Sequence, residues 1–167
     1  MIYVLMGVLG SGKTTVGRLL ASRLNVVFHD ADEYLNHKER KKLAKGVPLT
    51  DAEWKNWMFI MRAIVDRELA RGANAVIACP ALKEKYRQLL LHDVTNMKLI
   101  YLKGRQNVIE KRLQHHKNRH NASAVIVENH FKILEEPKNA DIIDMNIPQD
   151  KIVEMILWKP GDDTGME

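Results

Sequence analysis

Short apolar runs alternate with longer stretches of mixed polarity along most of the chain. Each apolar run is bordered by Gly, Asp, Asn or Pro, a pattern that is typical of buried β-strands. Such runs predict strands at Ile2–Met6, Val26–Phe28, Ala75–Cys79, Lys98–Leu102 and Asp141–Asp144. Because longer helical segments separate them, the pattern predicts an α/β fold in which a parallel sheet is covered by helices on both faces.

Helix boundaries are marked by capping residues and turn formers. The segment Thr50–Glu53 has the spacing of a capping box, in which a hydroxyl and a carboxylate bind the first free amides of a helix. Apolar residues then follow at helical spacing from Trp54 to Leu69, and Gly72 ends the pattern. Further helices are predicted over Glu33–Lys45, from Pro80 to about Leu91 and from about Pro148 to Trp158.

The length of 167 residues is typical of one globular domain. We expect residues 1–158 to form this domain and the polar, Gly-rich residues 159–167 to form a loose tail. The single cysteine, Cys79, excludes an intrachain disulfide and a multi-cysteine zinc site. No apolar run approaches the length of a bilayer span, and the first run leads directly into a glycine-rich loop. The sequence therefore predicts a cytoplasmic protein without a membrane partner.

The chain carries a formal net charge of +5, which favours an anionic ligand. The basic cluster Lys38–Lys45 is poor in aromatic residues and belongs to no recognisable nucleic-acid reading module. We interpret this cluster as a solvated helix face and expect no nucleic-acid partner. The histidines His115, His116 and His120 have no carboxylate at a suitable spacing, so they do not predict a metal site.

The sequence GVLGSGKT at Gly7–Thr14 matches the phosphate-binding pattern G-x-x-x-x-G-K-[ST] at every specified position. It follows the first predicted strand and opens an amphipathic helix, so that backbone N–H groups and the helix N-terminus can face phosphates. Lys13 can neutralise the β- and γ-phosphate oxygens, and the Thr14 hydroxyl can bind the Mg²⁺ that bridges them. We predict that Mg-ATP is bound by Gly7, Val8, Leu9, Gly10, Ser11, Gly12, Lys13, Thr14 and Thr15.

Two carboxylates, Asp30 and Asp32, close the second predicted strand. Switch GTPases need a guanine-specifying N-K-x-D, which is absent, and motor ATPases usually place an acid after a later strand, where Pro80 stands instead. An acid pair at a strand end beside a P-loop indicates a small-molecule kinase. We assign Mg²⁺ binding to Asp30 and orientation or deprotonation of the acceptor hydroxyl to Asp32, although the sequence alone permits the reverse. Helix N-capping is the structural alternative for Asp32, which precedes a predicted helix, but a cap explains only one acid of the pair.

The basic run Lys111–His120 follows the fourth predicted strand. In a P-loop kinase such a run suits a mobile lid whose cations meet the transferring phosphoryl group. The candidates for this role are Arg112, Lys117 and Arg119. A solvated helix end, at which cations stabilise the last carbonyl groups, explains the run equally well.

These motifs together resemble the gluconokinases, a family of small P-loop sugar-acid kinases. The resemblance covers residues 2 to about 137 and depends on IYVLMGVLGSGKTT, FHDADEY, KGVPLTD, ACPALKEKYRQLL, IYLKG and the late HF..LEEP. It implies a nucleoside-monophosphate-kinase-like fold with a five-stranded parallel sheet, and transfer of the ATP γ-phosphoryl group to the 6-hydroxyl of gluconate. By the same resemblance, Lys83 and Arg87 lie near the substrate carboxylate, and a homodimer is plausible.

Several acceptor-pocket positions depart from the family pattern, namely Leu35, Glu39, Trp54 and Pro80. Lost hydrogen-bond partners weaken the discrimination between polyhydroxy acids. The acceptor therefore stays open between gluconate, a shikimate-like acid and a nucleoside monophosphate. A nucleotide-binding regulatory protein without acceptor chemistry is the alternative outside the enzymes.

Overall fold

The computed structural model describes residues 1–91, 95–115 and 120–158, so the expected tail at residues 159–167 lies outside the described residues. The described strands are β1 Ile2–Met6, β2 Val27–Asp30, β3 Ala75–Ala78, β4 Met97–Lys103 and β5 Asp141–Asp144. A short 3₁₀ helix spans Ala31–Tyr34, and the α-helices are α1 Lys13–Leu24, α2 His37–Ala44, α3 Asp51–Ala70, α4 Glu84–Leu90, α5 Gln106–Gln114, α6 His120–Ile133 and α7 Gln149–Leu157. No helix within the described ranges is long and apolar enough to cross a membrane.

The strands form one parallel sheet in the order β2-β3-β1-β4-β5. β1 lies at the centre, where Val4 pairs with Ile77 of β3 and with Leu99 of β4. The carboxyl ends of β1, β2 and β3 therefore open at the same edge of the sheet, which is where ligands bind in open α/β sheets. The predicted α/β fold with a parallel sheet is confirmed.

Alternating side chains of the central strand contribute to two separate apolar cores. Val4 and Met6 face the core that α3 closes with Met58, whereas Leu5 faces the opposite core, which α1 closes with Leu20. Neighbouring residues of a strand point to opposite faces of its sheet. Because both faces are covered, the buried strands appear in the sequence as continuous apolar runs rather than as an alternating pattern.

The predicted helix over Glu33–Lys45 is divided in two, which corrects the prediction made from its charge pattern. The 3₁₀ helix ends at Tyr34, and α2 begins only after Asn36. Asn36 Oδ1 accepts a hydrogen bond from the Glu39 amide at 2.8 Å, and Glu39 Oε2 accepts one from the Asn36 amide at 3.0 Å. This reciprocal capping box satisfies the first amides of α2 and sets its start.

The helix predicted from Pro80 also starts later, because α4 begins at Glu84. Ala81 has a φ of 42°, a left-handed conformation that a right-handed helix does not contain. The guanidinium of Arg87 donates hydrogen bonds of 3.0 Å to the carbonyl oxygens of Ala81 and Leu82. These bonds hold the irregular segment between β3 and α4 in place of helical hydrogen bonds.

A buried hydrogen bond joins α3 to the 3₁₀ helix. The indole Nε1 of Trp57 donates to the Ala31 carbonyl oxygen at 2.8 Å, and both residues are buried. Trp57→Phe keeps an aromatic ring but leaves this carbonyl without its donor, so we expect the free energy of unfolding to fall by about 1–3 kcal/mol. Urea denaturation measures the change, with Trp158→Phe at an exposed position as the matched control. Equal, small effects of both substitutions would show that the bond contributes nothing.

Candidate active site

The loop between β1 and α1 has the backbone geometry of a phosphate-binding loop. Gly10 and Gly12 adopt φ angles of 80° and 95°, which residues with a Cβ rarely adopt. Gly12 is the N-cap of α1, so the positive end of the helix dipole opens into the loop. Lys13 Nζ folds back and donates to the Val8 carbonyl oxygen at 2.8 Å. Glycines, helix N-terminus and lysine are thus combined as an anion-binding site requires.

The first residue of the loop is closely packed. A Cβ at Gly7 would lie 2.8 Å from the Leu102 carbonyl oxygen and 2.6 Å from Ser11 Oγ, so a larger residue would require the backbone to move. Ser11 Oγ is buried and has no hydrogen-bond partner among the described residues. Buried polar atoms normally have such a partner. Ser11 therefore offers an unused donor inside the loop.

The two acids at the carboxyl end of β2, Asp30 within the strand and Asp32 just after it, have different surroundings. Asp30 is buried, and its Oδ2 accepts a hydrogen bond from the Thr14 hydroxyl at 2.6 Å. Its Oδ1 accepts a hydrogen bond from the Asp32 amide at 3.1 Å, so Asp30 is the acid that caps the 3₁₀ helix. The Asp32 carboxylate is exposed and accepts no hydrogen bond from a described residue. One acid is therefore held against α1, and the other is free to meet a ligand.

Two cavities meet beside Asp32. The P-loop cavity, of about 340 Å³, is bounded by the glycine loop and by Arg112 of α5. The aromatic cavity, of about 570 Å³, lies against α2, α3 and α6 and is named here for Trp54 and Trp57 in its wall. Lys13 and Asp32 line both cavities. Ligands in the two cavities would therefore meet at these two side chains.

Burial and mutual attraction act in opposite directions on Lys13 and Asp32. Desolvation lowers the pKa of Lys13, and the charges of Asp32 and Asp30 partly offset this effect. Although Asp32 keeps contact with solvent, the protein around it partly desolvates its carboxylate, and this desolvation raises the pKa of Asp32 against the nearby positive charge of Lys13. A carboxylate with a raised pKa is a stronger base than an ordinary aspartate. Asp32 is therefore suited to accept a proton from a hydroxyl group.

His130 of α6 links the aromatic cavity to the glycine loop. Its Nδ1 accepts a hydrogen bond from the Leu9 amide at 3.0 Å, and its ring centroid lies 5.8 Å from that of Trp54. Burial and the charge of Lys13 lower the pKa of His130 to about 3, so the ring is neutral near pH 7. Because Nδ1 accepts, the proton is on Nε2, which is a donor. Only its place in the HF..LEEP string distinguishes His130 in the sequence, so its position in the site was not predicted.

Thr14 and Asp30 meet the requirements of a Mg²⁺ site. Mg²⁺ prefers oxygen ligands and is usually bound by one or two protein groups together with substrate phosphates. The Thr14 hydroxyl and the Asp30 carboxylate lie side by side in the wall of the P-loop cavity. The residues present therefore fit the ion.

Comparisons with known proteins agree with this geometry. A protein-family model described as shikimate kinase matches residues 9–152. A mouse protein named probable gluconokinase is 37% identical over 153 residues, which cover 81% of this chain and 83% of that protein. The thermoresistant gluconokinase of Escherichia coli K12 is 36% identical over 150 residues, which cover 89% and 85% of the two chains. The chain belongs to the gluconokinase family. It is a kinase with an alcohol group as acceptor.

Solved structures place the gluconokinase-family chain among P-loop kinases. A gluconokinase from Sinorhizobium meliloti 1021 superposes with a TM-score of 0.77 at 28% identity, covering 91% of this chain and 86% of that one. A sugar kinase from Janibacter sp. HTCC2649 gives a TM-score of 0.82 at 28% identity, covering 93% and 91%. Shikimate kinase from Aquifex aeolicus shares the fold, with a TM-score of 0.60 at 21% identity. The nucleoside-monophosphate-kinase-like fold is confirmed.

Two residues that the gluconokinase resemblance placed near the substrate carboxylate, Lys83 and Arg87, line neither of these two cavities. The Arg87 side chain is 3% exposed, and its guanidinium is bound by two backbone carbonyl groups and by the Glu84 carboxylate. Lys83 Nζ lies 5.8 Å from the centroid of the Tyr86 ring. Neither cation lines the aromatic cavity or the P-loop cavity. The structure does not bring them to Asp32, because both interact within the segment around α4.

The predicted lid is described only in part. Arg112 of α5 lines the P-loop cavity, and its Nη2 donates to the Met145 carbonyl oxygen at 3.4 Å and to Asn146 Oδ1 at 3.2 Å. Lys117 and Arg119 lie outside the described residues. Arg112 is therefore the lid candidate of this gluconokinase-family chain that the structure locates.

Proposed function

We propose that this kinase transfers the γ-phosphoryl group of ATP to the 6-hydroxyl of gluconate. The P-loop cavity would take the triphosphate, and the aromatic cavity would take the sugar acid. Relatives from mouse and Escherichia coli that share most of the chain carry the name gluconokinase. The glycine loop, the hydrogen-bonded Thr14–Asp30 pair and the free Asp32 carboxylate supply the chemical groups that phosphoryl transfer needs.

One observation carries the proposal, namely that Lys13 and Asp32 line both cavities. A γ-phosphate on one side and a hydroxyl group on the other would come within reach of the same two side chains. Holding two reactants in this way makes their reaction effectively unimolecular, which removes much of the entropic cost. The junction of the cavities is therefore the proposed place of reaction.

The proposed reaction consists of one proton transfer and one phosphoryl transfer. Asp32 accepts the proton of the 6-hydroxyl while the hydroxyl oxygen forms a bond to the γ-phosphorus. The bond between that phosphorus and the β,γ-bridging oxygen breaks, and ADP leaves with the electron pair. Lys13 and the loop amides stabilise the negative charge on the phosphoryl oxygens. Asp32 then returns its proton to solvent.

Other residues of the P-loop cavity would prepare the triphosphate. Thr14 and Asp30 would hold Mg²⁺, which when bound neutralises charge on the β- and γ-phosphates. The unpartnered Ser11 hydroxyl can donate to a phosphate oxygen. Arg112 would approach the phosphoryl group from α5 and add a further positive charge.

A panel of acceptors tests this function. We expect ADP release from Mg-ATP to be stimulated by gluconate far more than by shikimate or by a nucleoside monophosphate. The product should gain one phosphoryl group by mass, and ³¹P NMR should show a phosphomonoester on the primary carbon. If shikimate or the nucleotide stimulated ADP release most strongly, that compound and not gluconate would be the acceptor. Binding of ATP without stimulation by any acceptor would instead favour a regulatory protein.

A further inference from the structure

The aromatic cavity contains a guanidinium group that the reaction above does not use. Among its described lining residues, the lysine and arginine side chains are those of Lys13 and Arg40. Lys13 lies at the junction with the P-loop cavity, whereas Arg40 belongs to α2 and lines only the aromatic cavity, not the P-loop cavity. Arg40 is therefore the arginine of the aromatic cavity that the P-loop cavity does not share.

Backbone carbonyl groups hold Arg40 in place. Its Nε donates to the Leu35 carbonyl oxygen at 2.9 Å, and its Nη2 donates to the Glu33 carbonyl oxygen at 2.6 Å. Both acceptors belong to the segment that directly follows Asp32. The same short segment therefore carries the proposed base and fixes the position of the guanidinium. Within the described residues, no partner binds Nη1 and no carboxylate forms an ion pair with Arg40. The group is oriented in advance and still has charge and donors for a ligand.

An anion is the ligand that this arrangement fits. A guanidinium binds a carboxylate through charge-assisted hydrogen bonds with a defined planar geometry. The cavity wall near Arg40 includes the side chains of Leu35, Leu43 and Leu49. Arg40 itself is exposed, but a ligand that fills the cavity beside these apolar residues would displace water from around it, and electrostatic attraction is stronger where water is excluded. A small molecule with one carboxylate and one reactive hydroxyl would satisfy Arg40 and Asp32 together.

We propose that Arg40 binds the carboxylate of the acceptor while Asp32 holds the hydroxyl group that is phosphorylated. This inference rests on the proposed function, since it assigns one end of the proposed substrate. It gives to Arg40 the role that the family resemblance had assigned to Lys83 and Arg87. Arg40 selects an acidic acceptor and receives neither the proton nor the phosphoryl group, although its positive charge acts against the rise in the pKa of Asp32 that desolvation causes.

Arg40→Gln tests the assignment with a pair of acceptors. We expect the KM for gluconate to rise about 10- to 100-fold, with kcat and the KM for ATP nearly unchanged. D-glucitol has the same carbon chain but carries a CH₂OH group in place of the carboxylate. As a competitive inhibitor of gluconate phosphorylation, glucitol should have the same inhibition constant for the wild type and for Arg40→Gln, because it has no carboxylate for Arg40 to bind. The preference of the enzyme for the acid over the polyol should therefore collapse.

Two further variants control for charge and folding. Lys41→Gln removes the same charge from the same helix at an exposed position that lines neither cavity, and it should leave the KM for gluconate unchanged. Arg40→Lys keeps the charge but loses the planar fork, so its KM should lie between those of the wild type and Arg40→Gln. Thermal unfolding confirms that each variant is folded. Should Arg40→Gln fail to fold, the KM for gluconate of Arg40→Lys is compared with that of Lys41→Gln. A raised KM in Arg40→Lys alone supports the inference, and equal KM values overturn it.

An unchanged KM for gluconate in Arg40→Gln would overturn the inference and leave the proposed function standing. Equal losses for gluconate and glucitol would also overturn it, because they would mean that Arg40 supports the cavity or acts through Asp32. Absence of gluconate-dependent ADP release in the wild type would overturn the proposed function, and the inference with it.

Discussion

Lys13→Met is expected to lose about 10³-fold or more in kcat/KM for gluconate while remaining folded. Lys13 lines both cavities and is the cation at their junction, so its charge acts where negative charge develops. Methionine preserves the length of the side chain but carries no charge. Because burial lowers the pKa of Lys13, the charged form is disfavoured in the folded protein. Its removal should therefore not decrease the free energy of unfolding.

Steady-state ADP release and urea denaturation together check the Lys13 prediction. Lys41→Met is the matched control, since Lys41 is an exposed lysine outside both cavities. The control should retain both turnover and the denaturation midpoint. Near-normal turnover by Lys13→Met would contradict the role assigned to this residue. A strongly lowered urea-denaturation midpoint would show instead that the variant loses activity because it unfolds.

Asp32→Asn is expected to lower kcat by about 10²- to 10⁴-fold near neutral pH, with a smaller change in the KM for ATP. Asparagine has nearly the same shape but cannot accept the proton of the acceptor hydroxyl. Glu33→Gln neutralises the adjacent exposed acid and should have little effect on kcat. Comparable kcat values for the two variants would show that Asp32 is not the base.

The pH dependence of the wild type separates catalysis from stability at the same residue. Only ionised Asp32 accepts a proton, so the rate should fall as the pH drops through its raised pKa, earlier than for an ordinary aspartate. A carboxyl group whose pKa is raised by folding binds more protons in the folded state. Its contribution to the free energy of unfolding therefore decreases as the pH rises through that range. Asp32→Asn should remove this dependence without lowering stability near pH 7, and rate–pH profiles with denaturation at two pH values measure both effects.

The phosphate-binding loop could be predicted because its chemistry is local. Gly7–Thr14 carries its glycines, lysine and hydroxyl at fixed spacing, and the adjoining strand and helix orient them without help from distant residues. The acid pair was predictable for the same reason, since Asp30 ends β2 and Asp32 follows it at the ligand-binding edge of the sheet.

Helix starts were less predictable where a turn competed with the helical pattern. The charged run after Asp32 appeared as one helix, but the capping box at Asn36 separates a 3₁₀ helix from α2. Pro80 appeared as a first helical residue, but the left-handed Ala81 postpones α4 to Glu84. In both places a local backbone conformation was decided by hydrogen bonds that residue types alone do not specify.

The residues that line the aromatic cavity, the proposed acceptor site, depend on which helices pack beside the carboxyl ends of the strands. Arg40 was grouped with a solvated basic cluster and is indeed exposed, but it also shares its helix face with Leu43 and Ala44 in the wall of the aromatic cavity. His130 reaches the glycine loop across 121 residues of sequence. No spacing rule relates residues so far apart, because their contact exists only once α6 packs against α2 and α5.

The amino-acid sequence by itself determined the parallel α/β fold, the phosphate-binding loop and the acid pair, because apolar periodicity and short motifs act over neighbouring residues. Only the tertiary structure decided which cations stand beside Asp32. It turns Arg87 into the segment before α4 and Arg40 into the aromatic cavity. The physical reason is that a charged side chain lies where packing and hydrogen-bond partners permit, and these partners come from several separate elements.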